Sequence, residues 1–290
     1  MRLLDATTRA RVISALVEGC SIRATCRMTG VAKGTVLKLL ADLGAACRAY
    51  HDANVRGGRS QRVQCDEIWA FCGAKDKNVL PDEQRFGLGS VWTWTALDAD
   101  SKLMVSYHVG TRDAGCAYEF MTDLASRLMG RIQLTTDGHK AYINAVSDAF
   151  GCDIDYAMLV KLYGETPAGP GRYSPPACIG IEMRPIMGNP DADHVSTSYV
   201  ERQNLTMRMG MRRFTRLTNA FSKKCANLEH AVSLHFMHYN FCRVHQTLRV
   251  TPAMAAGLTD HVWELGELIA LMPKPVAKPW GSVKRQAATV

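Results

Sequence analysis

Near residue 60 the spacing of apolar residues changes from that of a helix to that of a strand, and this limits the possible folds most. Upstream, ATTRARVISALVEGC sets Val12, Ile13, Leu16 and Val17 on one helical face. Ser21 reads as the N-cap of a short helix, IRATCRM, and a turn at Thr29–Gly30–Val31 follows. AKGTVLKLLADLGAACRAY then turns Val36, Leu39, Leu40 and Leu43 inward. Downstream, VQCDEIWAFCG alternates with period two. Val63, Cys65, Glu67, Trp69 and Phe71 share one face, and Asp66, Ile68 and Ala70 the other. The reading is an all-helical unit over 1–50, a polar, Gly-bearing linker over 51–62, and a second domain over 63–257.

Within the second domain, SVWTWTALDAD and KLMVSYHVG read as two more strands joined by a tight turn. An amphipathic helix (DAGCAYEFMTDLASRLMG), a strand (RIQLTTDG), a helix (HKAYINAVSDAFG) and a strand (IDYAMLVKLYG) follow. Three antiparallel strands followed by strand–helix alternation predict an α/β fold, a mixed sheet covered by helices. Recurrent Gly and Pro mark an insertion over about 164–195, with a short hairpin expected from CIGIEMRPIM. A basic helix is expected from Ser198 to about Leu217 and a second long one over NLEHAVSLHFMHYNFCRVHQTL. A helix and loose tail close the chain over 258–290.

Charge is segregated. Residues 1–62 carry eleven Lys/Arg against four Asp/Glu, residues 63–201 eleven against nineteen, and residues 202–250 nine against one. Basic flanks around an acidic middle suit a chain that grips phosphates and binds cations between them, although solvated surface charge gives the same totals. No stretch of about 18 apolar residues exists, so no membrane span is expected. The start has no apolar signal core, which reads as cytoplasmic. Ten cysteines without a CxxC pair read as small buried apolar residues rather than a zinc knuckle.

Three acidic residues invite chemistry. Asp66 stands in the middle of a strand among apolar residues, and Asp137 closes a strand at TTDG. A buried carboxylate requires a hydrogen bond, a basic group or a metal. Taken singly, each has a plain reading, an ion-paired strand residue or an Asp-Gly turn. Glu201 completes a capping box with Ser198, yet it also shares a helical face with Asn204, Leu205, Arg208 and Arg212. The residues alone leave both readings open. Lys33, Thr35 and Lys38 open the third helix of a helix-turn-helix plan and are candidate DNA contacts, with a plain three-helix bundle as the alternative. Arg202, Arg208, Arg212, Arg213 and Arg216 are candidate phosphate contacts. His139 sits beside Asp137, either touching DNA or solvated. His230, His235, His238 and His245 read as packing rather than a metal cluster, and Trp69, Trp92 and Trp94 as core.

Five blocks in order, DEIWAFCGAKDKN, VWTWTALDADSK, TTDGHKAY, STSYVERQNLTMRMGMRRFTR and YNFCRVHQTLRVTPAMAAG, resemble bacterial insertion-sequence transposases of the DDE type. The closest resemblance is to insertion-sequence family one. It implies a ribonuclease-H-like core and an acidic triad of Asp66, Asp137 and Glu201 holding Mg²⁺ or Mn²⁺. A basic residue two turns past the glutamate falls at Arg208. Further implications are double-stranded DNA as partner, both element ends and target, and a homo-oligomeric synaptic complex at the bacterial nucleoid. The zinc-binding module that family members can carry at the N-terminus is replaced here by the helical segment. Two other functions fit the same residues, a ribonuclease-H-like nuclease that cuts without joining and a DNA-binding regulator on an inactive catalytic fold.

Overall fold

A computed structural model of the chain describes residues 4–80, 87–164, 176–215 and 218–273. Helices α1 (Ala6–Val17), α2 (Ile22–Thr29) and α3 (Lys33–Asn54) come first. Asp5 and Ser21 cap α1 and α2 by accepting the amides of Thr8 and Ala24, and Gly30 ends α2 in the left-handed region at φ 72°. The sheet follows the expected order, with β1 (Arg62–Cys72), β2 (Gly89–Asp98), β3 (Met104–Gly110), α4 (Ala114–Arg127), β4 (Ile132–Asp137), α5 (Ala141–Phe150) and β5 (Ile154–Tyr163). Strand β6 (Cys178–Met187) lies at its edge, and α6 (Ser198–Gly210), α7 (Cys225–Met237), α8 (Pro252–Ala255) and α9 (Leu265–Ala270) complete the described elements.

The six strands run in the order β3-β2-β1-β4-β5-β6. β1 is antiparallel to β2 and parallel to β4, β4 is parallel to β5, and β5 is antiparallel to β6. This mixed sheet is compatible with a ribonuclease-H-like core. α4 and α5 cover one face, where Trp94 packs against Phe120 and Tyr142. α3, α6 and α7 cover the other, where Tyr107 packs against Phe236 and Asp66 meets Asn204. Leu40 and Leu43 of α3, Val232 and Phe236 of α7, and Trp94 of the sheet belong to one continuous apolar cluster.

Several elements differ from expectation. α3 runs through Asn54, four residues into the expected linker, because its end is bonded rather than free. Arg127, 1% exposed, donates to Asp52 at 2.5 Å, to Asp123 at 2.7 Å and to the carbonyls of His51 and Val55. Gly58 then donates to the Arg127 carbonyl and accepts from Met129. CIGIEMRPIM forms one strand paired along β5 rather than a hairpin of its own. α6 stops at Gly210, where Met211 turns extended, so Arg212 and Arg213 lie in a following 3-10 turn. α7 ends at Met237 and passes into a π-helical turn over His238–Cys242, which aims Asn240 at β3. The Asn240 amide there receives the Met104 N–H and donates to its carbonyl, both at 3.0 Å. Among the described tryptophans only Trp94 is core, while Trp69 and Trp92 face each other across β1 and β2, half-buried. Of the ten cysteines, Cys47, Cys65 and Cys72 are buried and Cys152 and Cys178 exposed; all ten are free thiols. No helix among the described residues is long and apolar enough to cross a membrane.

Candidate active site

Strand register brings the two aspartates together. β1 and β4 pair in parallel as far as Gln64 and Thr135, and two residues further on each strand stand Asp66 and Asp137. Partners in a parallel ladder point to the same face, so this register turns both side chains toward the C-terminal end of β4. Beyond Thr135 the β1 strand runs on to Cys72 along β2, with a single further bridge from Cys72 to Ser222.

The same face of β1 positions α6. The Gln64 side-chain carbonyl accepts the amides of Tyr199 and Val200 at 2.9 and 3.1 Å, capping the start of the helix from another element. One turn on, Asn204 donates to Asp66 at 2.8 Å and accepts from Thr95. Glu201 lies between these two anchors, three residues before Asn204, on the side of the helix that faces the sheet. The Ser198–Glu201 capping box does not form. Ser198 is already the first helical residue, and the Glu201 carboxylate accepts from Thr197 and from Lys161 of β5, the latter through both oxygens at 2.5 and 2.6 Å.

Glu67, rather than Glu201, is the carboxylate that groups with the two aspartates. Oxygens of Asp66, Glu67 and Asp137 lie within 4.8 Å of one another, although Glu67 leaves β1 on the opposite face from Asp66. Arg112, on the loop before α4, reaches Glu67 at 3.0 Å and Asp137 at 3.5 Å while stacking over Trp92 at 4.8 Å. The Glu67 side chain is 1% exposed, and its second oxygen, Oε1, has no hydrogen-bond partner. Burial first, and then the charge of Asp137, push the Asp66 carboxyl up to about 6, against the hydrogen bond from Asn204. Glu67 is pushed up to about 7 by the same two causes, with the charge of Arg112 opposing. Sequence reading missed Glu67, Arg112, Lys161 and Gln64. Glu67 adjoins Asp66 and was legible as the second acid of an Asp-Glu pair, whereas the two cations reach the site only through the fold.

Among the described residues, the side chains grouped closely enough to hold a metal are Asp66, Glu67 and Asp137. Carboxylate oxygens suit hard divalent cations. His139 donates its backbone amide to Asp137 at 3.0 Å and packs its ring on Trp94 and Tyr142 rather than standing in solvent. His235 is buried and pushed down to about 3 by that burial, and the His230 backbone packs against α3. Lys33 and Arg202 are exposed, Thr35 is half-buried, and Lys38 is paired with Asp42 of its own helix at 2.6 Å. Arg208 sits half-buried in the last turn of α6, two turns beyond Glu201. Arg212 is exposed, while Arg213 donates to Ser222 at 2.7 Å, which turns it away from a purely solvent-facing role. Arg216 lies outside the described residues.

The raised carboxyls set a pH dependence. Asp66 titrates near 6 in the fold against 3.8 when free, so its favourable contribution is complete below pH 4 and lost as pH rises through 6. Asp66→Asn mimics the protonated form at every pH. Its stability relative to wild type, measured by urea unfolding with chelator present, is expected to climb between pH 4 and pH 7 by on the order of 2 kcal/mol. A gap that stays constant over that range would contradict this environment for Asp66.

No protein-family model matches the chain, and no curated protein matches it. Among solved structures it is similar to the Mos1 strand transfer complex, at 12% identity over 82% of this chain and 77% of that one, with a TM-score of 0.24. That likeness is too slight to carry fold or function.

Proposed function

We propose that the chain is a DNA transposase of the DDE type, in which Asp66, Asp137 and Glu201 hold Mg²⁺ or Mn²⁺ for phosphoryl transfer on DNA. The observation that carries the reading is that Asp66 within β1 and Asp137 at the end of β4 come together beside a docked helix that carries Glu201. The carboxylates grouped closely enough to hold a hard divalent cation are Asp66, Asp137 and their neighbour Glu67, and Glu201, ion-paired with Lys161, lies outside that group and would join it on release from the lysine. When bound there, the metal supplies Lewis acidity for a phosphodiester and for its attacking hydroxyl.

The residues of the chain do the rest. Asn204 and the Glu67 amide, donating at 2.8 Å each, hold the Asp66 carboxylate in one orientation. Gln64 fixes the helix on which Glu201 rides. Arg208, with Arg202 and Arg212 on the same basic segment, supplies positive charge for phosphates as negative charge spreads over the transferring group. Lys33, Thr35 and Lys38 open α3 after the short turn from α2, and would read the element ends in a major groove. Two hydrolysed ends and a target duplex call for a homo-oligomer, each copy contributing a site.

Purified protein incubated with Mg²⁺ and a labelled duplex carrying the ends of its own element should nick at the end. It should then join the freed 3′-hydroxyl to a second DNA. Cutting without joining would leave a nuclease. Binding without cutting would leave a DNA-binding regulator, and either result removes the transposase reading.

A further inference from the structure

Two cations of the chain are already bonded to its acidic residues. Arg112 serves Glu67 and Asp137 from one side, and Lys161 holds both oxygens of Glu201 from the other. Among the described residues Asp66 forms no ion pair, and its hydrogen bonds come from the neutral Asn204 and a backbone amide. Lys161 stands on β5 two residues beyond Leu159, which is the ladder partner of Asp137. It therefore shares the sheet face of Asp66 and Asp137, with its side chain 29% exposed.

We infer that Lys161 is an internal counter-ion of Glu201, which a divalent cation displaces and which then binds the DNA backbone at the same site. The inference rests on the phosphoryl-transfer reading and adds to it a residue and an order of events. An ion pair this exposed is weak, and a divalent cation with carboxylate ligands outcompetes one ammonium. Lysine suits the exchange because its charge is a compact point on a flexible four-carbon stem, free to swing once released. A phosphate brought to a cation held there would offer the released ammonium a new anionic partner. Metal and DNA thus favour one another through Lys161, and the coupling is reciprocal. Arg112 is less suited to this part, since its guanidinium is committed to Glu67 and stacked on Trp92.

The test uses the full chain without turnover. Mn²⁺ binding to DNA-free protein is titrated by electron paramagnetic resonance of the free ion, for wild type, K161M, K161R and D137N. K161M should bind Mn²⁺ about tenfold more tightly than wild type. K161R, which keeps the charge, should stay near wild type, and thermal unfolding reports whether each variant is folded. The second readout is the salt dependence of DNA binding with non-catalytic Ca²⁺ or with chelator. K161M should lower the slope of log K against log salt by about 0.9, one phosphate contact, in Ca²⁺ and leave it unchanged in chelator. Equal Mn²⁺ affinities for wild type and K161M, with D137N weakened, would overturn the role of Lys161 alone. A slope that falls equally in both conditions would do the same, because Lys161 would then touch DNA without exchange. If D137N binds Mn²⁺ as wild type does, the metal reading falls and this inference with it.

Discussion

Asp137→Asn should lose metal-dependent cleavage of DNA by at least about 10³-fold while its apo fold becomes slightly more stable. Both effects follow from the crowding of Asp66, Glu67 and Asp137 within 4.8 Å. The charge of Asp137 raises both neighbours, so neutralising it relieves two repulsions. The cost is one long ion pair, since Arg112 keeps its shorter contact to Glu67. In chelator at pH 8 the variant's Tm should rise by about 2 °C. In saturating Mn²⁺ the order reverses, because wild type gains ligand stabilisation of about 2.7 kcal/mol at a hundred times Kd and the variant does not. A function bought with local instability has this signature. A variant that cleaves DNA at more than a tenth of the wild-type rate would remove Asp137 from the chemistry. One less stable than wild type in chelator would make its role structural.

The fold was legible where local pattern decides it. The period-two alternation from Val63 and the strand–helix alternation after Met104 fixed the strand identities, and Asp66 and Asp137 stood out as polar residues in or closing apolar strands. Their proximity required the register of β1 on β4, which no local pattern encodes. Glu201 was ambiguous because Ser198-x-x-Glu201 satisfies the capping pattern, and the structure removes the capping box by supplying a cap from Gln64, 135 and 136 positions away. Arg112 and Lys161 were invisible for the same reason, as long-range partners that look like ordinary surface cations along the chain. Trp69 and Trp92 were misread as core because alternation gives the face of a strand and not whether anything covers it. The end of α6 at Gly210 was missed because the basic run continues past it.

Gly44 is where sequence and structure disagree most sharply, and Gly44→Ala should destabilise the protein by at least about 2 kcal/mol. On helix propensity alone the same change, near the middle of a 22-residue helix, should stabilise by up to about 1 kcal/mol. The sign inverts because α3 presses on α7 at this point. A Cβ added to Gly44 would meet the His230 Cβ and carbonyl oxygen at 2.5 Å and its Cα at 2.6 Å. The carbonyl and Cα belong to backbone, so trimming the side chain cannot make room, and Gly44→Ala combined with His230→Ala should remain destabilised. α3 and α7 must instead move apart and uncover Leu40, Leu43 and Val232, which are buried in the shared core. Urea unfolding of wild type should be a single transition in which the N-terminal helices and the sheet melt together, and Gly44→Ala should shift its midpoint without splitting it. A gain in stability would mean that α3 is not seated on α7. The helices that carry Lys33, Thr35 and Lys38 would then swing independently of the sheet, and their aim relative to the carboxylates would be set by DNA rather than by the protein.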